Sequence, residues 1–147
     1  MTPDFDIGRS GSADVLRHLR AHDDAFQPPL SSRVNLADYA RKLADRAVRL
    51  EAWVGDDLVG LVAVYCNSID HDAAFVSNVS VLADHAGRGI ARQLMQAAIA
   101  HVLGLGFSSL YLEVDRRAVV AVRLYQSLGF QPTAELEDGT IVMRLLL

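Results

Sequence analysis

The spacing of apolar and polar residues changes several times along the chain, and each change marks a new element. Apolar residues recur with a period of about 3.6 after Ser12 and again after Asn35, which predicts two helices with these residues as their N-caps. FDIGR before them predicts a short first strand. The tandem prolines of QPPLSSR predict a break between the two helices, because proline cannot continue a helix.

Strand patterns dominate the middle of the chain. Three apolar runs predict consecutive strands, and a Gly-Asp turn joins the first two as a hairpin. These runs are RLEAWV, LVGLVAVYC and AAFVSNVSVL. A third helix is predicted to begin near Gly89 and to end at Gly104 and Gly106, which tolerate left-handed geometry. Its expected apolar face carries Ile90, Leu94, Ala97, Ala98, His101 and Leu105.

The remaining segments complete a mixed pattern of helices and strands. SSLYLEV predicts a strand with Tyr111, Glu113 and Asp115 on one face, and FQPTAEL and GTIVMRLLL predict a closing hairpin. AVVAVRLYQSL is ambiguous, because its valines favour a strand whereas its end at Gly129 is typical of a helix stop. With that segment taken as a helix, the order of elements predicts a mixed α/β (α+β) fold with a largely antiparallel sheet.

Length, composition and charge narrow the class of protein. A chain of 147 residues, of which 51% are apolar, fits one domain spanning 1–147. The net charge of −4 argues against nucleic acid as a partner. No apolar run approaches the roughly 18 residues of a membrane span, and MTPDFDIGRS lacks a signal-peptide pattern, so we expect a cytoplasmic protein without membrane contact. Cys66 is the single cysteine, and no group of residues has metal-ligand spacing, so no metal is expected.

The segment AGRGIARQLM has the features of an anion site. A helix begins there, and its first turn leaves backbone N–H groups unsatisfied at the positive end of the helix dipole. Gly87 and Gly89 leave room for a phosphate, and Arg88 or Arg92 can add positive charge. A Walker loop needs Gly-Lys-Ser/Thr, which is absent, and Arg92 stands where a dinucleotide fingerprint needs its third glycine. The alternative to an anion site is that the two glycines form a simple turn.

Two motifs together resemble the GNAT family of N-acetyltransferases. VSVLADHAGRGIARQLM resembles the acetyl-CoA motif Gln/Arg-x-x-Gly-x-Gly/Ala, which falls on Ala86, Gly89 and Ala91. LEVDRRAVVAVRLYQSLGF resembles the second signature, Ala-x-x-Leu-Tyr-x-x-x-Gly-Phe. Its matching residues are Ala121, Leu124, Tyr125, Gly129 and Phe130. Two departures concern coenzyme binding, since Ala86 replaces the usual Gln or Arg and Ala118 replaces a frequent asparagine.

The resemblance implies a GNAT fold and acetyl-CoA as co-substrate. The expected fold is a twisted, mostly antiparallel sheet of roughly six to seven strands with about four helices, splayed between the fourth and fifth strands with the help of a bulge. The pantetheine arm would pair with backbone at Val79 to Val81, like an added strand. The residues implied to bind the coenzyme are Val79, Ser80, Val81, Ala86, Gly87, Arg88, Gly89, Ile90, Ala91 and Arg92.

The resemblance also implies direct transfer of an acetyl group to a primary amine in a ternary complex. Tyr125 matches the general acid that protonates the departing thiolate. Glu113 is the candidate base, because YLEV looks like the Leu-Glu-Val of the ribosomal-protein alanine acetyltransferases; an ion pair with Arg116 or Arg123 is the alternative. Asn78 is a candidate for holding a water that relays the proton.

The acceptor is left open by the sequence. The first helices and their connection, Phe26 to Leu36, are implied to line its site, and both small-molecule amines and peptide N-termini fit. Relatives often dimerise, so a homodimer is a further expectation. The alternative of another class is a domain that binds acyl-CoA without turnover, as a sensor or partner module. Ala86 and Ala118 favour that alternative, and Tyr125 argues against it.

Overall fold

A seven-stranded sheet organises the computed structural model, which describes residues 2–26 and 28–147. Met1, and Gln27 of the predicted break, lie outside the described residues. The strands are β1 (Asp4–Ile7), β2 (Val48–Val54), β3 (Asp57–Tyr65), β4 (Ala73–Val81), β5 (Ser109–Asp115), β6 (Gln131–Glu135) and β7 (Thr140–Leu146). The α-helices are α1 (Ser12–His22), α2 (Leu36–Arg46), α3 (Ile90–Gly104) and α4 (Val119–Ser127).

The strand order is β1-β2-β3-β4-β5-β7-β6, and every neighbouring pair is antiparallel except β4 and β5. Helices α1 and α2 pack on one face of the sheet, around Leu19, Leu43 and Leu61. Helices α3 and α4 pack on the other face, around Leu94 and Phe130. The predicted element order and the mostly antiparallel sheet are therefore confirmed.

The starts of the first two helices follow the sequence with one correction. Asn35 caps α2 by accepting a hydrogen bond from the Asp38 N–H at 3.0 Å, as predicted. The prediction for Ser12 is wrong, because Ser12 is the first helical residue and Gly11 occupies the N-cap. The Asp14 carboxylate accepts the Gly11 N–H at 3.0 Å, so this carboxylate satisfies the first turn in place of a serine hydroxyl.

The buried face of α3 is rotated relative to the predicted one. Its buried residues are Ile90, Leu94, Met95, Ala98 and Val102, whereas Ala97 and Leu105 are exposed and His101 is half-buried. IARQLMQAAIAHVLG is apolar on most sides, so several stripes fit a helical period and packing on the sheet selects one.

The ambiguous segment AVVAVRLYQSL forms α4. The strand suggested by its valines is not formed. Val119 and Val120 lie on the exposed side of the helix, at 50% and 83% exposure, whereas Tyr125 is buried. Gly129 follows the helix with φ of +101°, a backbone conformation that favours glycine. In this segment the glycine at the end predicts the structure better than the valines do.

Candidate active site

A bulge in β4 sets the geometry of the site. Ala63 of β3 pairs with Asn78 and Val64 pairs with Val76, so Ser77 is an extra residue in β4. Because the bulge shifts the alternation of side chains, Val76 before it and Val79 after it both pack in the core beneath α3 and α4. Asn78 and Ser80 consequently face α1 and α2.

Beyond the bulge, β4 and β5 separate. Their parallel pairing runs only from Ala73 with Ser109 to Val76 with Leu112. From there β4 pairs with β3 and β5 pairs with β7, and a cavity of about 580 Å³ opens between them. The expected splay between the fourth and fifth strands is therefore confirmed.

The open edge of β4 exposes backbone hydrogen-bonding groups to this gap. Leu82 N–H donates to the Val59 carbonyl at 2.8 Å. Because alternate residues of an antiparallel strand point at the partner strand, Ser80 also faces β3, and Val79 and Val81 turn their N–H and C=O groups into the gap. Among the three residues predicted to pair with pantetheine, Val79 and Val81 have the suitable backbone direction. Ser80 does not, and its side chain is 3% exposed on the α1 side.

The glycine-rich loop leads from β4 into α3. Gly87 and Gly89 have φ of +76° and +77°, and no described atom lies within 4 Å of a Cβ built on either. Helix α3 starts at Ile90, so the N–H groups of its first turn open onto this clear space. Ala86 and Arg88 are exposed in the loop, and Ala91 is half-buried in the first turn.

Arg92 has a role that the sequence did not indicate. Its guanidinium donates to the Ser127 hydroxyl at 2.8 Å, which connects the start of α3 with the last residue of α4. The side chain therefore joins α3 to α4, whereas Arg88 is exposed in the loop.

Tyr125 lines the cavity from α4. It is 6% exposed, and its ring packs edge-on against Phe130 with centroids 6.0 Å apart. Burial raises the pKa of the Tyr125 phenol to about 12, so the hydroxyl is protonated at neutral pH. No described group hydrogen-bonds to this hydroxyl, which leaves it free to donate into the cavity.

The β5 wall of the cavity carries two carboxylates in different settings. Asp115 is engaged by Arg117 through hydrogen bonds of 2.8 and 2.9 Å, and this contact lowers the pKa of Asp115 to about 2. Glu113 is exposed and lines the cavity, and it forms no ion pair with any described residue. The alternative of an ion pair is not realised among the described residues, since Arg116 instead pairs with Glu135 at 3.5 Å and Arg123 forms no ion pair there.

Asn78 lines the cavity from β4 and is 5% exposed. Its amide nitrogen donates to the Ser80 hydroxyl at 2.8 Å and to the Leu61 carbonyl at 3.4 Å. Ser80 in turn contacts Nε2 of His18, at 2.7 Å. The structure thus brings Tyr125, Glu113 and Asn78 to one cavity.

The connection between α1 and α2 closes the cavity on the side expected for the acceptor. His22 and Phe26 contact each other edge-to-face with ring centroids 4.5 Å apart, and both line the cavity. Burial lowers the pKa of His22, so its ring is neutral at pH 7. The sequence did not single out His22, since a histidine in the last turn of an amphipathic helix carries no special signal.

Tyr39 of α2 is a second residue that the sequence did not assign to the site. Its hydroxyl donates to the Ser77 carbonyl at 3.0 Å and lies 2.6 Å from the Ser77 Oγ. Both bonds hold the bulge residue of β4, so Tyr39 fixes the point where the strands separate. In the sequence Tyr39 is only one member of an apolar helical stripe.

The residues present fit acetyl-CoA on two structural grounds. The open backbone at Val79 and Val81 can pair with the amides of an extended arm, and the uncovered space at Gly87 and Gly89 can hold a phosphate at the start of α3. Neither ground depends on a side chain at position 86, because both use backbone groups.

The chain is similar in sequence to a curated acetyltransferase. The chain is 34% identical over 83 residues to the [ribosomal protein bS18]-alanine N-acetyltransferase of Salmonella typhimurium, a match that covers 50% of this chain and 56% of that protein. The chain thus spans about half the length of the curated relatives it matches.

Solved structures share the fold along 97% of the chain. The ribosomal-protein-S18-alanine N-acetyltransferase of Escherichia coli superposes with a TM-score of 0.73 at 22% identity, covering 97% of this chain and 94% of that one. The ribosomal-protein-alanine N-acetyltransferase of Brucella melitensis gives 0.75 at 20% identity, with 97% and 99% covered. At these identities the likeness shows the fold.

The family itself is shown by a sequence match whose range contains both motifs and the strands β4 and β5. The model of the acetyltransferase (GNAT) family matches residues 15–130, which is most of the chain. This chain belongs to the acetyltransferase (GNAT) family.

Proposed function

We propose that residues 1–147 form a single acetyltransferase domain that moves the acetyl group of acetyl-CoA to a primary amine, by direct attack in a ternary complex in the cytoplasm. The observation that carries the proposal is the cavity between β4 and β5. It joins the open backbone edge of β4 to a buried phenol on one wall and an unpaired carboxylate on another.

The residues around the cavity divide the proton transfers between them. An alkyl amine with a pKa of about 10 is neutral in roughly one molecule in a thousand at pH 7, so a nearby acceptor for its proton raises the rate. In the proposal Glu113 takes this role and Asn78 can hold a relaying water, and both line the cavity. The bound coenzyme supplies the acetyl thioester and, once the acetyl group has moved, a thiolate.

Tyr125 acts on the thiolate side. A phenol with a pKa of about 12 is a weaker acid than a thiol of ordinary pKa, about 8.5, so its first contribution is a hydrogen bond to the charge developing on sulfur. Complete proton transfer to sulfur requires the site to raise the pKa of the thiol as it raises that of the phenol, and solvent then reprotonates the phenolate after the thiol has left.

A peptide N-terminus is the acceptor we favour. Relatives that act on a ribosomal-protein alanine support it. The apolar side chains of Phe26 and Leu30, which lie in the connection between α1 and α2 and line the cavity, also suit a short side chain beside the amine.

No described helix has the length and apolarity to cross a bilayer. The expected homodimer stays a prediction that sedimentation would test.

Thiol release from acetyl-CoA, measured across peptides beginning with alanine or serine, amino sugars, polyamines and amino acids, tests the proposal. We expect turnover with one amine class, and a loss of at least roughly tenfold in kcat for Tyr125→Phe with little change in KM. Phe keeps the ring packing and removes only the hydroxyl. Equal rates would reject Tyr125 as the acid.

Thermal unfolding with acetyl-CoA separates the enzyme from the acyl-CoA sensor. An enzyme and a sensor are both stabilised by the coenzyme, since each binds it in the folded state. Stabilisation without thiol release for any amine would favour the sensor. The absence of both effects would reject the proposed function altogether.

A further inference from the structure

A chain of four hydrogen-bonding groups runs from the core to the cavity. Nδ1 of His18 lies 2.8 Å from the Leu58 carbonyl, and Nε2 lies 2.7 Å from Ser80 Oγ. The Asn78 amide nitrogen lies 2.8 Å from the same oxygen. All three side chains are nearly inaccessible, with exposures of 2%, 3% and 5% for His18, Ser80 and Asn78.

The donor and acceptor of each hydrogen bond follow from the Leu58 carbonyl at the start of the chain of bonds. A carbonyl oxygen only accepts, so His18 must donate from Nδ1–H to Leu58. In the neutral ring Nε2 is then an acceptor, and it takes the hydroxyl hydrogen of Ser80. Burial lowers the pKa of His18 to about 4, which keeps the ring neutral near pH 7.

This order fixes the orientation of the Asn78 amide. Because its only hydrogen is given to His18, the Ser80 hydroxyl must accept from the Asn78 NH₂ group. The second hydrogen of that group is directed at the Leu61 carbonyl, 3.4 Å away, which can only accept as well. Both amide hydrogens are thus used inside the protein, and no described group donates to Oδ1, which is left as the free acceptor of a side chain that lines the cavity.

We propose that His18 and Ser80 act as positioning residues that hold Asn78 Oδ1 toward the cavity as a hydrogen-bond acceptor, and that this oxygen accepts one N–H of the attacking amine. The inference rests on the proposed function. Once the ammonium proton is lost, a neutral primary amine has two N–H groups, of which one hydrogen-bonds to the base and the other to Oδ1. Its lone pair is then free to point at the acetyl carbon.

A secondary amine has one N–H, so it leaves either the base or Oδ1 without a partner. A site built to bind a substrate N–H discriminates against an analogue that lacks it, because a buried polar group is left unpaired. The protein should therefore prefer a primary amine to its N-methyl derivative, and the preference should depend on Asn78.

The network is tested without any substrate. In protein labelled with ¹⁵N-histidine, the two ring nitrogens of His18 are distinguished by chemical shift near pH 7. We expect a proton on Nδ1 and none on Nε2, and Ser80→Ala should shift the Nε2 resonance. A proton on Nε2 in the wild-type protein would reverse the chain of bonds and overturn the proposal.

The contact with the amine is tested by kinetics, using an alanine-led peptide and the same peptide led by N-methylalanine, or the corresponding pair for whichever primary amine is turned over fastest. Asn78→Leu removes the acceptor oxygen at nearly constant volume, and Asn78→Ala also makes room. We expect both variants to lose about tenfold in kcat and most of the preference for the primary amine. Loss of the preference in Asn78→Ala alone would make it steric and contradict the proposal.

Ser80→Ala tests whether the network acts through Asn78. We expect it to lower kcat several-fold in the wild-type background and to have no effect on kcat in the Asn78→Leu background, since there is no amide left to orient. Equal factors in both backgrounds would show a merely structural role. Absence of turnover by the wild-type protein would reject the proposed function and the amine contact together. The tautomer of His18, measured without substrate, would still show whether the hydrogen-bond network exists as described.

Discussion

At the scale of single residues, His18 should make the fold sensitive to acid. Its ring is 2% exposed, and burial lowers its pKa from 6.5 to about 4. The unfolded chain therefore binds more protons than the folded chain between these values, so stability is fully present above pH 6.5 and is lost as the pH falls toward 4. The shift corresponds to about 3 kcal/mol of unfolding free energy.

Urea denaturation between pH 7 and pH 4 measures this loss, and His18→Gln is the matched variant because its side chain does not titrate. We expect the wild-type protein to lose about 3 kcal/mol more than the variant over this range. His22, whose pKa burial also lowers, titrates in both proteins; its charge contributes to lowering the His18 pKa, so the difference includes this coupling. Parallel curves would show that His18 is protonated without cost in the folded state.

Single residues also mark how far the sequence could lead. Tyr125 and Glu113 were predicted from the family resemblance and Asn78 from its place on the adjoining strand, and all three line the cavity. Ser80 was grouped with Val79 and Val81, because alternation in the sequence cannot show which backbone groups face a gap. His18 was missed, since its partners lie 40 and 62 positions away along the chain.

At the scale of elements, the turn from β4 into α3 should need glycine for two separable reasons. Gly89 has φ of +77°, so an alanine there is strained by roughly 1–2 kcal/mol. Its Cβ would also stand in the clear space at the start of α3 that we assign to phosphate. We expect Gly89→Ala to lower both stability and the affinity for acetyl-CoA, measured by calorimetry.

Gly55, in the turn between β2 and β3, is the matched control. It has φ of +59°, and no described atom lies within 4 Å of a Cβ built on it. Gly55→Ala should therefore carry a similar loss of stability and leave the acetyl-CoA affinity unchanged. Equal affinities in the two variants would remove Gly89 from the coenzyme site.

Elements were predictable where turn residues marked them. The hairpins, the Asn35 cap and the order of helices and strands along the chain were predicted from the sequence, because short-range chemistry determines them. The bulge at Ser77 was expected only from the family resemblance, and its position depends on the Tyr39 hydroxyl, which comes from α2. The buried face of α3 was mispredicted because contact with the sheet selects it.

At the scale of the whole molecule, the two faces of the sheet are held by different interactions. The face under α3 and α4 is an apolar core, whereas the face under α1 and α2 also contains a buried ion pair of Arg49 and Glu51 with Nε to Oε2 at 3.5 Å. Glu51 is 0% exposed and accepts the N–H groups of Arg9 and Ser10. Arg49 donates to carbonyls at the end of α2, including that of Ala44 at 2.8 Å. One pair thus joins the β1–α1 turn, α2 and the sheet.

Removing one charge of this pair should destabilise the fold without affecting the coenzyme side. Glu51→Gln leaves the Arg49 charge buried without its partner, and we expect a loss of about 3–5 kcal/mol in the free energy of unfolding by urea. Glu135→Gln breaks the exposed pair with Arg116, whose side chains are 56% and 65% exposed, and should cost under about 1 kcal/mol. Both variants should keep the wild-type stabilisation by acetyl-CoA, because the glycine loop and the open edge of β4 belong to other elements. A lower coenzyme response in Glu51→Gln would instead show that the two faces of the sheet are coupled, and that the acceptor-side helices help to hold the gap between β4 and β5 open.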